Sequence, residues 1–326
     1  MSRFLDKTFW GLTIGLVVLL AFNFVAEDWM RSIGLQSFAR GVVALGLVVL
    51  WRTGLISFGH ALFFGTGAYG AALLQLTLGV TDAFLLVAFG TAASGLLAFV
   101  LGFLLRRYRA IFFALLNLAF SMILYGVLAK LEMLGSTDGF GVAAPTFLGY
   151  APESEKRLLP LFVFTVVLVY LVAVAVHIYL GSTLGAMTKA VRENEIRVEY
   201  LGYSAEQAIH VKYVISGLLA GLGGVVMGLT IGHVDPDSMV YWPISGDFVF
   251  IAILSGSGNV AATFIGALVF ELIRTYAFEY APQIWQLLMG GSLLAIIMFL
   301  PDGLWSLVEK YQASRSRAAA RRQAAE

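Results

Sequence analysis

The side chains able to do chemistry in this sequence are few and scattered. Four histidines occur, and none falls in an H-E-x-x-H motif or another metal-ligand spacing: His60, His177, His210 and His233. The sequence has no G-x-x-x-x-G-K-[ST] phosphate-binding loop and no G-x-S-x-G nucleophile turn. It has no cysteine, which excludes disulfides, iron–sulfur ligation and thiol catalysis. We therefore predict no catalytic residue, no metal site and no enzyme.

A second group of candidates consists of polar or ionisable residues inside apolar segments, where a charge is costly and usually has a partner. Glu271 and Arg274 are three residues apart on one helical face, which predicts an ion pair, with a role in transport as the alternative. Asp247 stands near the start of a short apolar segment and is expected to cap a helix N-terminus. Asn117 and Ser121 share a face and are predicted to join helices rather than to bind solute.

The elements that must position these residues are long apolar segments. The chain has 326 residues, of which 60% are hydrophobic and 13% are charged. A soluble domain has about a quarter charged residues, so this composition excludes soluble enzymes, nucleic-acid binders and secreted disulfide scaffolds. Segments long enough for the ~30 Å hydrocarbon core predict an all-α polytopic membrane protein with about ten transmembrane segments, some short or interrupted. The segments are 9–26, 36–51, 57–78, 83–105, 111–131, 159–180, 209–231, 245–256, 259–279 and 283–300.

The orientation follows from the Lys and Arg residues, which collect in cytoplasmic loops. With ten crossings, four basic groups fall on one side of the membrane, which predicts that both termini are cytoplasmic. These groups are Arg3 and Lys7; Arg106, Arg107 and Arg109; Lys189, Arg192, Arg197 and Lys212; and Lys310, Arg315, Arg317, Arg321 and Arg322. Residues 1–311 then form one transmembrane domain with an outer loop at 132–158 and an inner loop at 181–208. Residues 312–326 form a basic, solvated cytoplasmic tail.

Small residues form two faces at helical spacing among the 35 glycines of the chain. Small residues let membrane helices approach closely, so both faces are predicted to pack helices together. The alternative is that they line a passage, which short or interrupted helices would permit. The two faces are Ala61, Gly65, Ala68 and Ala72, and Gly217, Gly221, Gly224 and Gly228.

The inner loop is predicted to contain a single helix over 187–203 with two apolar stripes. The inner stripe consists of Met187, Ala190, Val191, Val198 and Leu201. The outer stripe consists of Ile196 and Tyr200, and of Tyr203 if the helix continues past Gly202. Charged residues run between the stripes, with Glu193 and Arg197 in a favourable i,i+4 order. One stripe can rest on the membrane domain. The second would face water, which predicts a partner protein that covers it.

Five stretches of the sequence resemble the M-type permease subunits of branched-chain amino-acid ABC importers, a LivM-like family that also includes urea and amide permeases. They are TGLISFGHALFFGTGAYGAALL at 53–74, STDGFGV at 136–142, GSTLGAMTKAVRENEIRVEYLGYSAEQAIHVKYVISGLLAGLGG at 181–224, LSGSGNVAATFIGALVFELI at 254–273 and FLPDGLWSL at 299–307. Three places depart from the family pattern: Ala186 stands where an arginine is usual, Ser255-Gly256-Ser257-Gly258 replaces G-G-x-G, and 241–246 differs from leucine-type members.

The resemblance implies one permease half of a five-part importer in the bacterial inner membrane. Its expected partners are an H-type permease subunit, two ABC ATPase subunits, a periplasmic solute-binding protein and the lipid bilayer, and no nucleic acid. ATP and Mg would bind the ATPase subunits, leaving no cofactor in this chain. Branched-chain amino acids are the first choice of solute. Urea, short amides, and aromatic or other small carboxylates are the alternatives, and a stand-alone secondary transporter is the different class.

The resemblance also implies three sets of site residues. The cytoplasmic coupling loop, 181–208, would contact an ATPase through Arg192, Glu193, Asn194, Ile196, Tyr200 and Gly202. The translocation path would be bordered by Ser57, Gly59, His60 and Gly65, where backbone amides freed at a helix break could hold an anionic group. The periplasmic loop, 132–158, would receive the binding protein through Thr137, Asp138 and Gly139.

Overall fold

Apolar segments in a membrane must satisfy their backbone hydrogen bonds internally, and this chain does so with helices. A computed structural model describes residues 6–153, 156–256, 258–300 and 303–306. The predicted all-α architecture is confirmed, and each predicted apolar segment coincides with a helix. The helices are α1 Lys7–Phe22, α2 Asp28–Trp51, α3 His60–Leu78, α4 Ala83–Leu105, α5 Ala110–Leu128, α6 Leu158–Gly181, α7 Thr183–Glu193, α8 Glu195–Tyr200, α9 Ala205–Ile231, α10 Pro236–Met239, α11 Trp242–Ser255, α12 Val260–Tyr280 and α13 Trp285–Phe299.

Eight of the helical units in the described part of the chain are long and apolar enough to cross a membrane. They are α2 to α6, α9, α12 and the unit formed by α10 and α11. The helices α1 and α13 are also apolar but have 16 and 15 residues. At 1.5 Å per residue each is about 23 Å long, which is shorter than the hydrocarbon core. The predicted tail, 312–326, and the basic residues at 3 and 310–322 lie outside the described residues.

The centre of the fold is α9, which packs on α2, α3 and α4. Glycine makes these contacts possible: a Cβ on Gly67 would overlap the carbonyl of Gly221, and a Cβ on Gly224 would overlap the carbonyl of Phe64. Both predicted small-residue faces are buried between packed elements, with Gly65 against Val240 rather than against α9, so the packing prediction is confirmed. Helix surfaces this close gain van der Waals contact, which is the main attraction between helices in lipid.

The loops gather at two opposite ends. At one end, Arg106 pairs with Glu206 at 3.2 Å, and Arg109 pairs with Glu195. The basic group that follows α4 therefore lies at the same end as the inner loop. At the other end, a two-residue strand β1, Phe140–Gly141, pairs antiparallel with β2, His233–Val234. This pairing ties the outer loop to the end of α9.

The interior ion pair differs from the prediction. The partner of Glu271 is Arg40 of α2, and both side chains are buried, so the predicted pair with Arg274 is wrong. The reason is that α12 turns Glu271 toward α2 and leaves Arg274 half-buried. Asp247 is also placed differently, because α11 begins at Trp242 with Tyr241 as its N-cap. Asp247 lies inside that helix, where the charges of Arg40 and Glu271 act on it.

Replacing Arg40 by leucine should destabilise the protein strongly. The change leaves Glu271 as a buried charge without its partner, a defect that costs about 3–5 kcal/mol in soluble proteins. The double variant Arg40→Leu/Glu271→Leu should recover most of the lost melting temperature in detergent. Lys156→Met, which breaks an exposed pair with Glu153, is the matched control and should change little. A double variant no more stable than Arg40→Leu would contradict the assignment.

Candidate coupling site

The inner loop leaves α6 through a tight turn. Ser182 caps α7, and its hydroxyl accepts from the amide of Gly185 at 3.3 Å. Gly185 lies against the last carbonyls of α6, those of Tyr179 and Leu180, where a Cβ would overlap them. The turn therefore places α7 directly beside the end of α6.

The predicted single helix over 187–203 is wrong, because it breaks at Asn194. This residue is extended, with φ −161° and ψ 98°, and its side chain accepts from the amide of Arg197 at 2.9 Å. An Asn side chain competes with the helix for backbone amides, so it ends α7 and caps α8. Gly202 has φ +84°, which favours glycine and turns the chain toward α9.

The break changes which side chains face the membrane domain. Val191 and Val198 are buried as predicted, and Met187 is half-buried. Ala190 and Leu201 are exposed, so the prediction for them is wrong. Glu193 and Arg197 belong to different helices, so the i,i+4 relation no longer applies to them.

The predicted outer stripe is confirmed as exposed. Ile196 is 65% exposed, Tyr200 is 87% exposed and Tyr203 is 53% exposed. Leu201, at 71%, joins them because of the break. These four residues form the coupling patch. Large apolar side chains exposed together on a short loop are typical of a protein interaction site.

Ion pairs hold the segment that carries the patch. The guanidinium of Arg109 donates to both carboxylate oxygens of Glu195, from Nε to Oε2 at 3.0 Å and from Nη2 to Oε1. Such a bidentate pair fixes geometry as well as charge. The partner of Glu195 lies 86 residues away in the chain, in the α4–α5 loop, so helical spacing does not reveal this pair.

A basic groove is formed by α7 together with residues that follow α2 and α11. It has a volume of about 490 Å³ and is lined by Arg52, Lys189, Arg192, Glu193 and Gly258. Burial lowers the pKa of Arg52 below its ordinary value. The predicted coupling residues Arg192 and Glu193 therefore lie at an electropositive rim rather than within the apolar patch.

The predicted path residues meet at the start of α3, after the non-helical residues 52–59. Ser57 and His60 are fully buried. The hydroxyl of Ser57 accepts from the amide of Gly59 at 3.3 Å, and Nε2 of His60 hydrogen-bonds to Ser216 of α9 at 2.6 Å. The Ala61 amide, at the first turn of α3, donates to the hydroxyl of Ser245 at 2.9 Å.

This junction joins four helices through groups that sequence reasoning partly missed. Gly59 packs on the backbone of Asn117 in α5, and Gly65 packs on Val240. Tyr213 donates to Asn117 at 2.5 Å, and Ser121 donates to the carbonyl of Val240 at 3.0 Å, which confirms that both polar residues of α5 join helices. Ser216 and Ser245 gave no signal in the sequence, since an isolated serine in an apolar segment is uninformative.

The predicted docking residues form an ordered turn. Thr137 and Asp138 are exposed. The carbonyl of Asp138 hydrogen-bonds to Nε2 of His233 at 2.9 Å, and Gly139, with φ +69°, lies too close to Val234 to accept a side chain. The backbone of this turn is therefore structural, while the Thr137 and Asp138 side chains stay available.

Comparisons with known proteins identify the family of this chain. The family model of the branched-chain amino acid transport system permease component matches residues 30–298. The chain belongs to this family. It is 27% identical to the high-affinity branched-chain amino acid permease LivM of Salmonella typhimurium LT2 over 89% of this chain and 73% of that protein.

Two further transport proteins are similar to this LivM-like permease. It is 22% identical to LivH of Escherichia coli K12 over 81% of this chain and 90% of that protein. It is 35% identical to the nucleoside ABC transporter permease NupB of Lactococcus lactis over 34% of this chain and 30% of that protein. No solved structure matches the chain.

Asn194→Ala should merge α7 and α8 and rotate Leu201 toward the membrane domain, because it removes the cap that starts α8. The chain has no cysteine, so a single Leu201→Cys reports the change through its rate of maleimide labelling. We expect labelling to slow several-fold with Asn194→Ala. Asn194→Asp keeps a side-chain acceptor and should leave the rate unchanged. Equal rates in all three backgrounds would contradict the role assigned to Asn194.

Proposed function

We propose that this chain is the membrane-spanning permease subunit of an ATP-driven importer, forming half of the path for a small polar solute. The observation that carries the proposal is the coupling patch, an exposed apolar surface at the end of the molecule where the basic group after α4 meets the inner loop. The family match and the LivM relative support the same reading. Partner ATPase subunits bind ATP and Mg, and this chain supplies no cofactor.

The companion subunits follow from the same reasoning. The match to LivH supports pairing with an H-type permease subunit. Two ATPase subunits bind on the cytoplasmic side, and a periplasmic binding protein delivers solute on the other. Both termini are then cytoplasmic in a bacterial inner membrane, because the basic groups belong inside.

Branched-chain amino acids are the proposed solute, since the LivM relative is a branched-chain amino acid permease and is similar to most of this chain. Nucleosides are the second candidate, because the NupB relative covers about a third of the chain at higher identity. Urea, short amides and small carboxylates remain in the set to be tested. A stand-alone secondary transporter would need no ATPase, and the coupling patch would then have no partner.

The patch is proposed to enter a groove on one ATPase subunit. Ile196 and Tyr200 act as anchors, while Asn194 and Gly202 set the ends of α8 that present them. Arg192 and Glu193 lie at the rim, where charges contribute less than buried apolar anchors. Closure of the ATPase subunits then displaces α8.

The junction at the start of α3 is proposed to border the path. Ser57, Gly59, His60 and Gly65 lie where α3, α5, α9 and α11 converge, so a displacement of these helices opens the structure there. Support comes from the polar groups enclosed at that point in otherwise apolar helices. The outer turn with Thr137, Asp138 and Gly139 is proposed to receive the binding protein at the opposite end.

Ile196→Ser/Tyr200→Ser should abolish coupling. Each anchor at such an interface carries about 1–4 kcal/mol, so losing two should release the ATPase subunit during purification. The expected result is normal insertion in the membrane, loss of the co-purified ATPase, and no leucine uptake. Met133→Ser/Tyr150→Ser is the matched control, since it removes two exposed apolar side chains from the opposite end.

The control should retain the ATPase subunit at the wild-type ratio. Retention of the ATPase by the Ile196→Ser/Tyr200→Ser variant, with normal uptake, would show that the coupling patch is not the contact. Solute uptake without any co-purifying ATPase would instead favour the secondary-transporter class.

Asp138→Lys should weaken docking of the binding protein and leave basal ATP hydrolysis unchanged. The reason is that the backbone carbonyl of Asp138, not its side chain, holds His233, so the turn survives the change. Affinity of the binding protein for the nanodisc-embedded transporter is the measurement, with a tenfold loss expected. Glu153→Lys reverses another exposed charge of the same loop and should have little effect. Equal affinity for wild type and Asp138→Lys would remove this residue from the docking surface.

A further inference from the structure

Lys212 is a cation enclosed where α6, α7 and α9 meet. Its side chain lies near the start of α9 and is 1% exposed. The ammonium donates to the carbonyl of Leu184 at 3.1 Å and to the hydroxyl of Thr188 at 3.0 Å, both on α7. It also lies 4.8 Å from the centre of the Tyr179 ring at the end of α6. One side chain of α9 therefore holds the neighbouring ends of two other helices.

The surroundings of this ammonium are uncommon for a buried charge. Among the described residues, its hydrogen-bond acceptors are neutral, and the nearby charge that acts on it, Arg52, has the same sign. An enclosed cation held without an acid is costly compared with an apolar side chain of similar length. Two hydrogen bonds and a cation–π contact offset part of that cost. The arrangement is better explained by a need to fix α7 than by stability alone.

The contact between α7 and the membrane domain is otherwise thin. The buried residues of α7 are Gly185, Thr188 and Val191, all small or medium in size. The Thr188 hydroxyl donates a hydrogen bond to the carbonyl of Gly185, so a lone pair of its oxygen is free to accept from Lys212. Lys212 thus supplies the main directional bond across this seam.

The partner of α7 in this bond is the central helix of the fold. Because α9 packs on α2, α3 and α4 through glycine contacts, a displacement of its inner end reaches all three. The helix α8, which carries the first residues of the coupling patch, follows α7 after a single residue, Asn194. A rigid link from α7 to α9 would therefore connect the patch to the core.

We propose that Lys212 is the positioning residue that transmits displacement of the coupling segment, which consists of α7 and α8, to α9. The proposal rests on the proposed function, because it needs an ATPase at the coupling patch. Lys212 does not touch the ATPase or the solute. It makes α7 and the inner end of α9 move as one body.

Lys212→Met in the complete transporter tests this link, because it keeps the apolar stem and removes the ammonium. We expect the ATPase subunit to be retained and basal ATP hydrolysis to continue. Stimulation of hydrolysis by leucine-loaded binding protein should disappear, and leucine moved per ATP should fall at least tenfold. Lys212→Arg keeps a donor cation and should restore part of the coupling.

A second variant keeps the test informative if Lys212→Met folds poorly. Thr188→Val removes one acceptor at constant shape and should lower the leucine-to-ATP ratio by a smaller factor. The double variant Lys212→Met/Thr188→Val should be no worse than Lys212→Met, since both changes break the same link. A purely structural role would lower the melting temperature and leave the ratio unchanged.

Three outcomes overturn the inference. Normal leucine transport per ATP in Lys212→Met would show that the link is not needed. Loss of the ATPase subunit from that variant would show that Lys212 shapes the docking surface instead. A wild-type complex whose ATP hydrolysis is stimulated by none of the proposed solutes would overturn the proposed function, and this proposal with it.

Discussion

The close approach of α9 to three other helices is the constraint on which the rest of this structure depends. In lipid, apolar side chains gain nothing by hiding from water, so helices associate through van der Waals contact and a few hydrogen bonds. Glycines such as Gly67, Gly221 and Gly224 bring backbones together where any side chain would overlap. A rigid central helix results, and both ends of the molecule are organised around it.

The two ends of α9 make different kinds of contact with the loops. The outer end is followed by β2, which pairs with the outer loop and fixes it as an ordered turn. The inner end is joined to the coupling segment by Lys212 and to the α4–α5 loop by the Arg106–Glu206 pair. Specific polar bonds, together with the buried side chains of Val191 and Val198, hold the part of the chain that presents the coupling patch.

Much of the fold could be predicted because its signals are local. Apolar length marks the spans, and side-chain size marks the faces where helices pack. The exposure of Ile196 and Tyr200 could also be predicted, since apolar residues that lie among charged residues on a loop indicate a surface that a partner buries. The break at Asn194 could not be predicted, because the same residues also fit a continuous helix. The helix ends there only because the Asn194 side chain accepts a hydrogen bond from a backbone amide.

The remaining misses are contacts between distant parts of the chain. The partner of Glu271 lies 231 residues away, and helical spacing instead suggested Arg274, its near neighbour. Lys212 counted only as one more cytoplasmic charge, since nothing in the sequence shows that α7 folds over it. Tertiary packing decides both cases, and a pattern confined to one helix carries no information about it.

The central claim is that the coupling segment and α9 move together, and a distance measurement tests it most directly. Spin labels on Ala186→Cys in α7 and Ile231→Cys at the outer end of α9 use two exposed positions of a cysteine-free chain. Pulsed electron resonance on the complete transporter would compare the nucleotide-free and ATP-trapped states. The account predicts an unchanged distance within this chain, while the distance from Ala186 to a label on the companion permease subunit changes. A change in the Ala186–Ile231 distance on ATP trapping would contradict it.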